Sequence, residues 1–200
     1  MIIEDTQPSS DGRRRRSEQS RDRIIVAMMA LVESGQLNPV AEDVAMRAQV
    51  GLRSVFRHFK DMDSLYAEMA LRLARHYESA LAPFESSDWR GQLFEAFGRR
   101  MAIYEKLLPF KRAADAHRHQ SAAIQANHAA TTILLRARLP ALMPPHLKDD
   151  VIAFETLDFL LSLDTWQRLR SEQKLTPEAA RAVIEGLLKA LVDAPAVVAR

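Results

Sequence analysis

Several things are missing from this sequence at once. None of its 200 residues is cysteine, which excludes disulfides, thiolate metal sites and cysteine nucleophiles. Six glycines are too few for a glycine-rich nucleotide fold or a turn-heavy β-sandwich. No apolar run approaches the ~20 residues of a membrane span. No stretch alternates with period two between turn residues, so no sheet is expected. Net charge is scarce as well: 28 Lys and Arg face 26 Asp and Glu, for a formal +2. The polar, acidic stretch Met1–Gly12 does not read as a secretory leader. With the absent cysteines, it suits a reducing cytoplasm.

What is present is ordinary globular material, 48% hydrophobic and 27% charged. The chain is long enough to bury a core as one domain or two small ones. The small net charge hides an uneven distribution. Residues 13–60 hold ten Arg or Lys against five Asp or Glu, a basic surplus of five. The remaining residues offset it.

Residues 1–19 combine Pro8, Ser9, Ser10 and Gly12 with the run Arg13-Arg14-Arg15-Arg16. Nothing apolar is spaced to pack, so a disordered basic arm is expected. From Ile24 onward the pattern is helical. Ile24, Ala27, Met28 and Leu31 predict a helix from about Ser20 to Ser34, with Gly35 placed to end it. Asn38-Pro39 reads as the next start. Asp61 is placed to cap a fourth helix over roughly Met62 to Ala80. Longer helices are expected at about 88–107, 109–117, 119–142, 148–172 and 176–193, punctuated by Pro109, Pro140, Pro144-Pro145 and Pro177. Thr176-Pro177-Glu178 supplies a cap, a first-turn proline and a first-turn acid. The fold class is therefore all-α.

Two short helices, Ala41–Arg47 and Leu52–Phe59, flank a tight turn at Ala48–Gly51. With a helix packed before them they make a helix-turn-helix over about 40–59. Three ordinary packed helices would share much of this pattern. A reading helix needs an apolar inner face and a polar outer one, and it enters the major groove N-terminal end first. Val55 and Phe59, four apart, point inward. Arg53 and Arg57 are then candidates for bidentate contact to guanine. Ser54, Phe56, His58 and Lys60 suit phosphates, while Arg21, Arg23 and the Arg13–Arg16 run add sequence-independent attraction.

The run Val50-Gly51-Leu52-Arg53-Ser54-Val55-Phe56-Arg57-His58-Phe59, followed by Leu65, resembles the signature of the TetR family of transcriptional regulators. Asp43-Val44-Ala45 and Ala48 match that family's upstream pattern. Asp164-Thr165-Trp166-Gln167-Arg168-Leu169-Arg170 and Leu175-Thr176-Pro177-Glu178-Ala179-Ala180-Arg181 are similar to the last two helices of many members. Gly51 stands where the family usually has Ser or Thr, Pro39-Val40 where it often has two Thr, and Met62 where Lys is common. The resemblance implies a DNA-binding domain at 20–65 and a ligand-sensing, dimerising domain at 66–200. It also implies a homodimeric regulator, usually a repressor, that binds a palindromic operator and is released by a small effector.

Met101, Tyr104, Leu108, Phe110, Leu134, Phe159 and Trp166, with His128 as a polar group, either line an effector cavity or fill plain core. The stretch 151–169 is apolar nearly all round, and Val183, Ile184, Leu187 and Leu191 add a broad stripe on the last helix. Such helices must be covered on several sides. A two-fold contact through Phe154, Leu161, Val183, Ile184, Leu187 and Leu191 would cover them. Asp115, His117 and His119 have poor spacing for a metal, so neither metal nor cofactor is expected. No nucleophile–base constellation is present, so an enzyme is not expected. A helical enzyme and a protein-interaction adaptor are the rival readings.

Overall fold

The computed structural model describes residues 9–75, 82–119 and 121–193. All regular structure among them is helical. The helices are α1 (Ser9–Glu33), α2 (Ala41–Ala48), α3 (Leu52–His58), α4 (Met62–Ala74), α5 (Trp89–His117), α6 (Ala122–Arg136), α7 (Pro145–Lys148), α8 (Val151–Leu160), α9 (Leu163–Gln167) and α10 (Pro177–Asp193). A 3-10 turn spans Leu139–Leu142, and a π-type turn, Arg168–Glu172, continues α9. No helix among the described residues is long and apolar enough to cross a membrane.

The described residues form two compact units. One comprises Met1–Arg72 with Pro109–Asn127, the other Leu73–Leu108 with His128–Arg200. In the first unit α1 packs on α2 and α3, and α2 on α3. Its core is Ile24, Ile25, Met28 and Val32 of α1, Val44, Ala45 and Ala48 of α2, Val55 and Phe59, and Leu65, Tyr66 and Met69 of α4. The end of α5 joins the same unit. The His117 ring lies 5.2 Å from that of Tyr66, and its Nε2 lies 3.2 Å from the Leu37 carbonyl oxygen.

Chain punctuation follows local chemistry where a side chain can reach the backbone. At the end of α1, Gly35 takes φ 98°, which costs glycine nothing. The Gly35 amide then donates to the Val32 carbonyl and the Gln36 amide to that of Leu31, the paired bonds of a Schellman end. Asp61 and Ser64 cap α4 reciprocally: Asp61 Oδ1 accepts from the Ser64 amide at 2.8 Å, and Ser64 Oγ from the Asp61 amide at 3.3 Å. Thr176 Oγ1 accepts from the Ala179 amide ahead of Pro177.

Other boundaries differ from the sequence expectation. Helix α1 starts at Ser9, inside the stretch expected to be a disordered arm; residues 1–8 lie outside the described ones. Arg, Glu and Gln are good helix formers, and Arg14 pairs with Glu18 one turn on at 3.0 Å. Helix α2 starts after Val40, which offers no side-chain cap, so Asn38-Pro39 precedes the helix rather than opening it. Helix α4 is described only to Ala74, and positions 76–80 of its expected length fall outside the described residues. Pro109 lies inside α5 and does not end it. Tyr104, Leu107, Phe110 and Ala113 are buried on both sides of it, so packing offsets the backbone bond that proline cannot make.

The expected helix 148–172 is broken at Leu161-Ser162. Asp150 caps α8, accepting from the Ile152 and Ala153 amides at 2.9 and 3.1 Å, and Ser162 caps α9 through the Thr165 amide at 3.1 Å. Asp150→Ala should cost ~1 kcal/mol of stability, measured by denaturant unfolding; an unchanged midpoint would contradict the capping role.

In the second unit α8 packs on α10, over Leu157, Leu160, Leu161, Trp166, Ala180, Ile184 and Leu188. Glu105 ties α5 to the turn after α9: its carboxylate accepts from Trp166 Nε1 at 3.0 Å, Arg170 Nε at 3.0 Å and Arg170 Nη2 at 2.7 Å. The Arg170 hydrogen bonds hold the Glu105 carboxyl below its ordinary pKa, with Trp166 adding a smaller pull.

Candidate nucleic-acid interface

The candidate reading head is built on α2, a tight turn and α3. Helix α2 buries Ala41, Val44, Ala45 and Ala48, small and branched residues that let neighbouring helices approach closely. Glu42 and Asp43 in its first turn favour its positive end. Gln36 Nε2 donates to Asp43 Oδ2 at 2.6 Å and ties the preceding loop to that turn. The chain then reverses at Gln49, which takes a left-handed conformation at φ 54°, ψ 47°. The Gln49 amide donates to the Met46 carbonyl and the Val50 amide to that of Ala45. Gly51 opens α3 without a side-chain cap, and its carbonyl accepts from the Ser54 amide at 2.7 Å.

Helix α3 has two unlike faces. Val55 is 1% exposed and Phe59, its C-cap, 4%. Arg53, Phe56, Arg57 and Lys60 are exposed, and Ser54 is half-buried. Arg53 and Arg57 stand one turn apart on one face, with Arg57 Nη2 3.4 Å from Ser54 Oγ. The outer face therefore offers two guanidinium forks, an ammonium, a hydroxyl and an aromatic edge. Forks of this kind match guanine O6 and N7, and the other groups match phosphate and sugar.

Two of the DNA-contact candidates sit differently from expectation. His58 is half-buried, with Nε2 closed off from solvent and no hydrogen-bond partner among the described residues. Burial first, then the charges of Arg57 and Arg21, push its pKa below the ordinary 6.5. A neutral, inward ring does not hold a phosphate by charge. Arg21 is half-buried, donates to Glu68 at 2.7 Å and lies 5.2 Å over the Phe59 ring, so it braces α1 against α3 and α4.

A pH dependence follows from His58. In the unfolded chain it takes up a proton near 6.5, and in the fold only at lower pH. Stability is therefore retained above 6.5 and falls as pH drops through 6.5 toward the lowered folded value. His58→Gln should flatten this part of the profile, read as melting temperature against pH. An unaltered slope would remove His58 as its source.

Met46, which sequence reading passed over, is 77% exposed on α2, and Leu52 is 37% exposed at the start of α3. Both can meet thymine methyl groups or sugars. The available signal was that Met46 falls off the buried stripe of α2.

The candidates outside α2 and α3 are dispersed. Met101, Tyr104 and Trp166 are buried in the second unit, where Leu108 and His128 are half-buried. Phe110 is buried in the first unit. Leu134 and Phe159 are 48% and 63% exposed, so within one chain they do not wall an enclosed cavity. Tyr104 donates its hydroxyl to the Leu161 carbonyl at 2.9 Å, and burial raises its pKa to about 12. The nearby Arg100 guanidinium, also buried, donates to the carbonyls of Leu161 and Leu135 at 3.3 and 3.0 Å. It sits at the C-terminal ends of α8 and α6, where helix dipoles favour a cation.

Of the residues expected at a two-fold seam, Leu161 and Ile184 are fully buried inside the chain and have no surface to give a partner. Val183 and Leu187 are exposed, Leu191 is half-buried, and Phe154 is half-buried with the Arg136 guanidinium 4.6 Å over its ring. Ile152 is also exposed, at 79%, on α8. Among the described residues no cluster of His, Asp or Glu could hold a metal ion.

No protein-family model and no curated protein matches the chain. Solved structures do. A crystal structure of a transcriptional regulator from Rhodococcus sp. Rha1 superposes with a TM-score of 0.70 at 20% identity, over 90% of this chain and 100% of that one. A protein from Pseudomonas aeruginosa PAO1, provisionally assigned as a transcriptional regulator, gives 0.66 at 21% identity, over 87% of this chain and 90% of that one. At such identities the likeness is one of fold: this chain has the all-α architecture of those proteins, an N-terminal helix-turn-helix followed by a C-terminal helical domain.

Proposed function

We propose that the protein is a DNA-binding transcriptional regulator of the TetR type. In this reading it acts as a homodimeric repressor on a palindromic operator and is released by a small effector. The observation that carries the reading is the division of α3, with Val55 and Phe59 buried and Arg53, Phe56, Arg57 and Lys60 exposed. The signature-like run from Val50 to Phe59 supports it, as does the fold shared with regulators.

The proposed division of labour has residues 20–65 read DNA while 66–200 sense and dimerise. Dimerisation would use the exposed apolar face of α8 and α10, made by Ile152, Phe159, Val183 and Leu187. An effector would sit among the buried apolar residues near Met101, Tyr104 and Trp166. To release DNA it must bind the DNA-incompetent state more tightly than the competent one, because equal affinity shifts nothing.

The salt dependence of duplex DNA association tests the reading. Neutralising phosphates releases counterions, so log K should fall steeply and linearly with log salt. A flat dependence, or no association at low salt, would overturn it.

A further inference from the structure

The Arg13–Arg16 run is not used by the reading head, yet it is physically joined to it. It lies on the same continuous helix, α1, that packs against α3. The root of this extension is pinned at adjacent residues. Arg21 pairs with Glu68 at 2.7 Å, and Asp22 pairs with Arg72, both on α4. Arg21 also lies over the ring of Phe59, the residue that ends α3. At 1.5 Å per residue, Arg16 stands ~7.5 Å and Arg13 ~12 Å along the axis from that contact. The basic run is thus held at a set distance from the Arg21–Phe59 contact at the C-terminal end of the reading helix.

Its composition selects a partner. From Arg13 to Arg23 there are six Arg against Glu18 and Asp22, with no apolar side chain. Residues 13–19 are all exposed. Arg14 and Arg21 face carboxylates. Arg15, Arg16 and Arg23 form no ion pair among the described residues; Arg16 Nε and Arg23 Nη2 donate only to the Gly12 carbonyl and the Ser20 hydroxyl. Four successive arginines point around most of the helix circumference, at 100° each. A stable protein partner would need an apolar centre and insertion into a lipid surface an apolar stripe, and the segment has neither. Closely spaced phosphates on a duplex need only positive charge with forked donors.

Resting on the DNA-binding reading of α3, we infer that this helical extension is a second DNA contact. It grips backbone phosphates flanking the half-site that α3 reads, and adds affinity and footprint length without adding sequence preference.

The test uses the full chain and the duplex that it enriches from a random library. Arg13, Arg14, Arg15 and Arg16 are changed together to Gln, and separately to Lys. If about two phosphates per arm are held, the Gln variant's log K against log salt should be less steep by ~3–4 in a dimer. Its nuclease footprint should shorten at both ends, and its preference for the enriched duplex over a scrambled one should stay the same. The Lys variant should keep the parent's slope and footprint. A Gln variant with the parent's slope and footprint overturns the arm while leaving the reading of α3 intact. So does a Lys variant that behaves like Gln. A parent that enriches no duplex overturns the reading of α3 and the arm with it.

Discussion

Replacing Arg53 and Arg57 together with Ala should reduce operator binding to the level of random DNA while leaving a folded protein. Both side chains are exposed on one face of α3, and Arg57 lies 3.4 Å from Ser54 in the same helix. Their removal empties no core and strands no buried charge, and Ala is the better helix former. Stability should stay within about 0.5 kcal/mol. Binding has far more to lose. A bidentate Arg–guanine pair discriminates by ~1–3 kcal/mol, and two per protomer act four times in a dimer. That is comparable to the ~4–10 kcal/mol that separates specific from non-specific binding. Lys60→Ala should behave differently, weakening all sequences alike and lowering the salt slope by about one per protomer. Affinity for selected and scrambled duplexes, with circular dichroism as the fold control, separates these outcomes. Parent-like operator affinity in the double variant would remove α3 as the reading element.

The second large effect is expected in the other unit. Phe159→Glu with Leu187→Glu should convert a dimer to folded monomers and thereby abolish operator binding. Phe159 is 63% and Leu187 51% exposed in one chain, so the exchanges cost the isolated protomer little. In a two-fold contact each would bury an aromatic or aliphatic side chain worth ~1.5–3 kcal/mol and appear twice. Glutamates there would bring like charges together as well. Sedimentation should read a change from two copies to one at micromolar concentration. Operator affinity should collapse, since a single reading head contacts half the phosphates and bases. A variant that remains dimeric would place the seam elsewhere.

Much of the candidate reading head was legible because its signals are local. Val55 and Phe59 sit four apart, Gly35 follows the last periodic residue of α1, and Asp61 precedes Ser64 by the three residues a cap needs. What could not be read depends on partners distant in the chain. Nothing near Arg21 reveals Glu68, 47 positions later, so its pairing within the chain could not be read from the sequence. His58 follows Arg57 in a basic run, but only the packed fold turns its Nε2 inward.

On α8 and α10, periodicity shows apolar residues nearly all round and cannot say which face meets the chain's own core. Ile184 is 0% exposed and its neighbour Val183 43%. The extension of α1 to Ser9 carries no apolar stripe, so the strongest helical signal is silent there. Pro109 misled for the opposite reason: a local rule was overridden by burial of Tyr104, Leu107, Phe110 and Ala113 around it. Only the packed structure shows that the residues from Pro109 to Asn127 belong with the unit that holds α2 and α3.

Selection of bound duplexes from a random library by the full 200-residue chain tests sequence-specific binding through α3 most directly. The expected product is an inverted repeat whose half-site centres are spaced by about one helical turn or a multiple of it, enriched by the parent and not by the Arg53→Ala, Arg57→Ala variant. A library that stays random after repeated rounds, or one enriched equally by that variant, would contradict it.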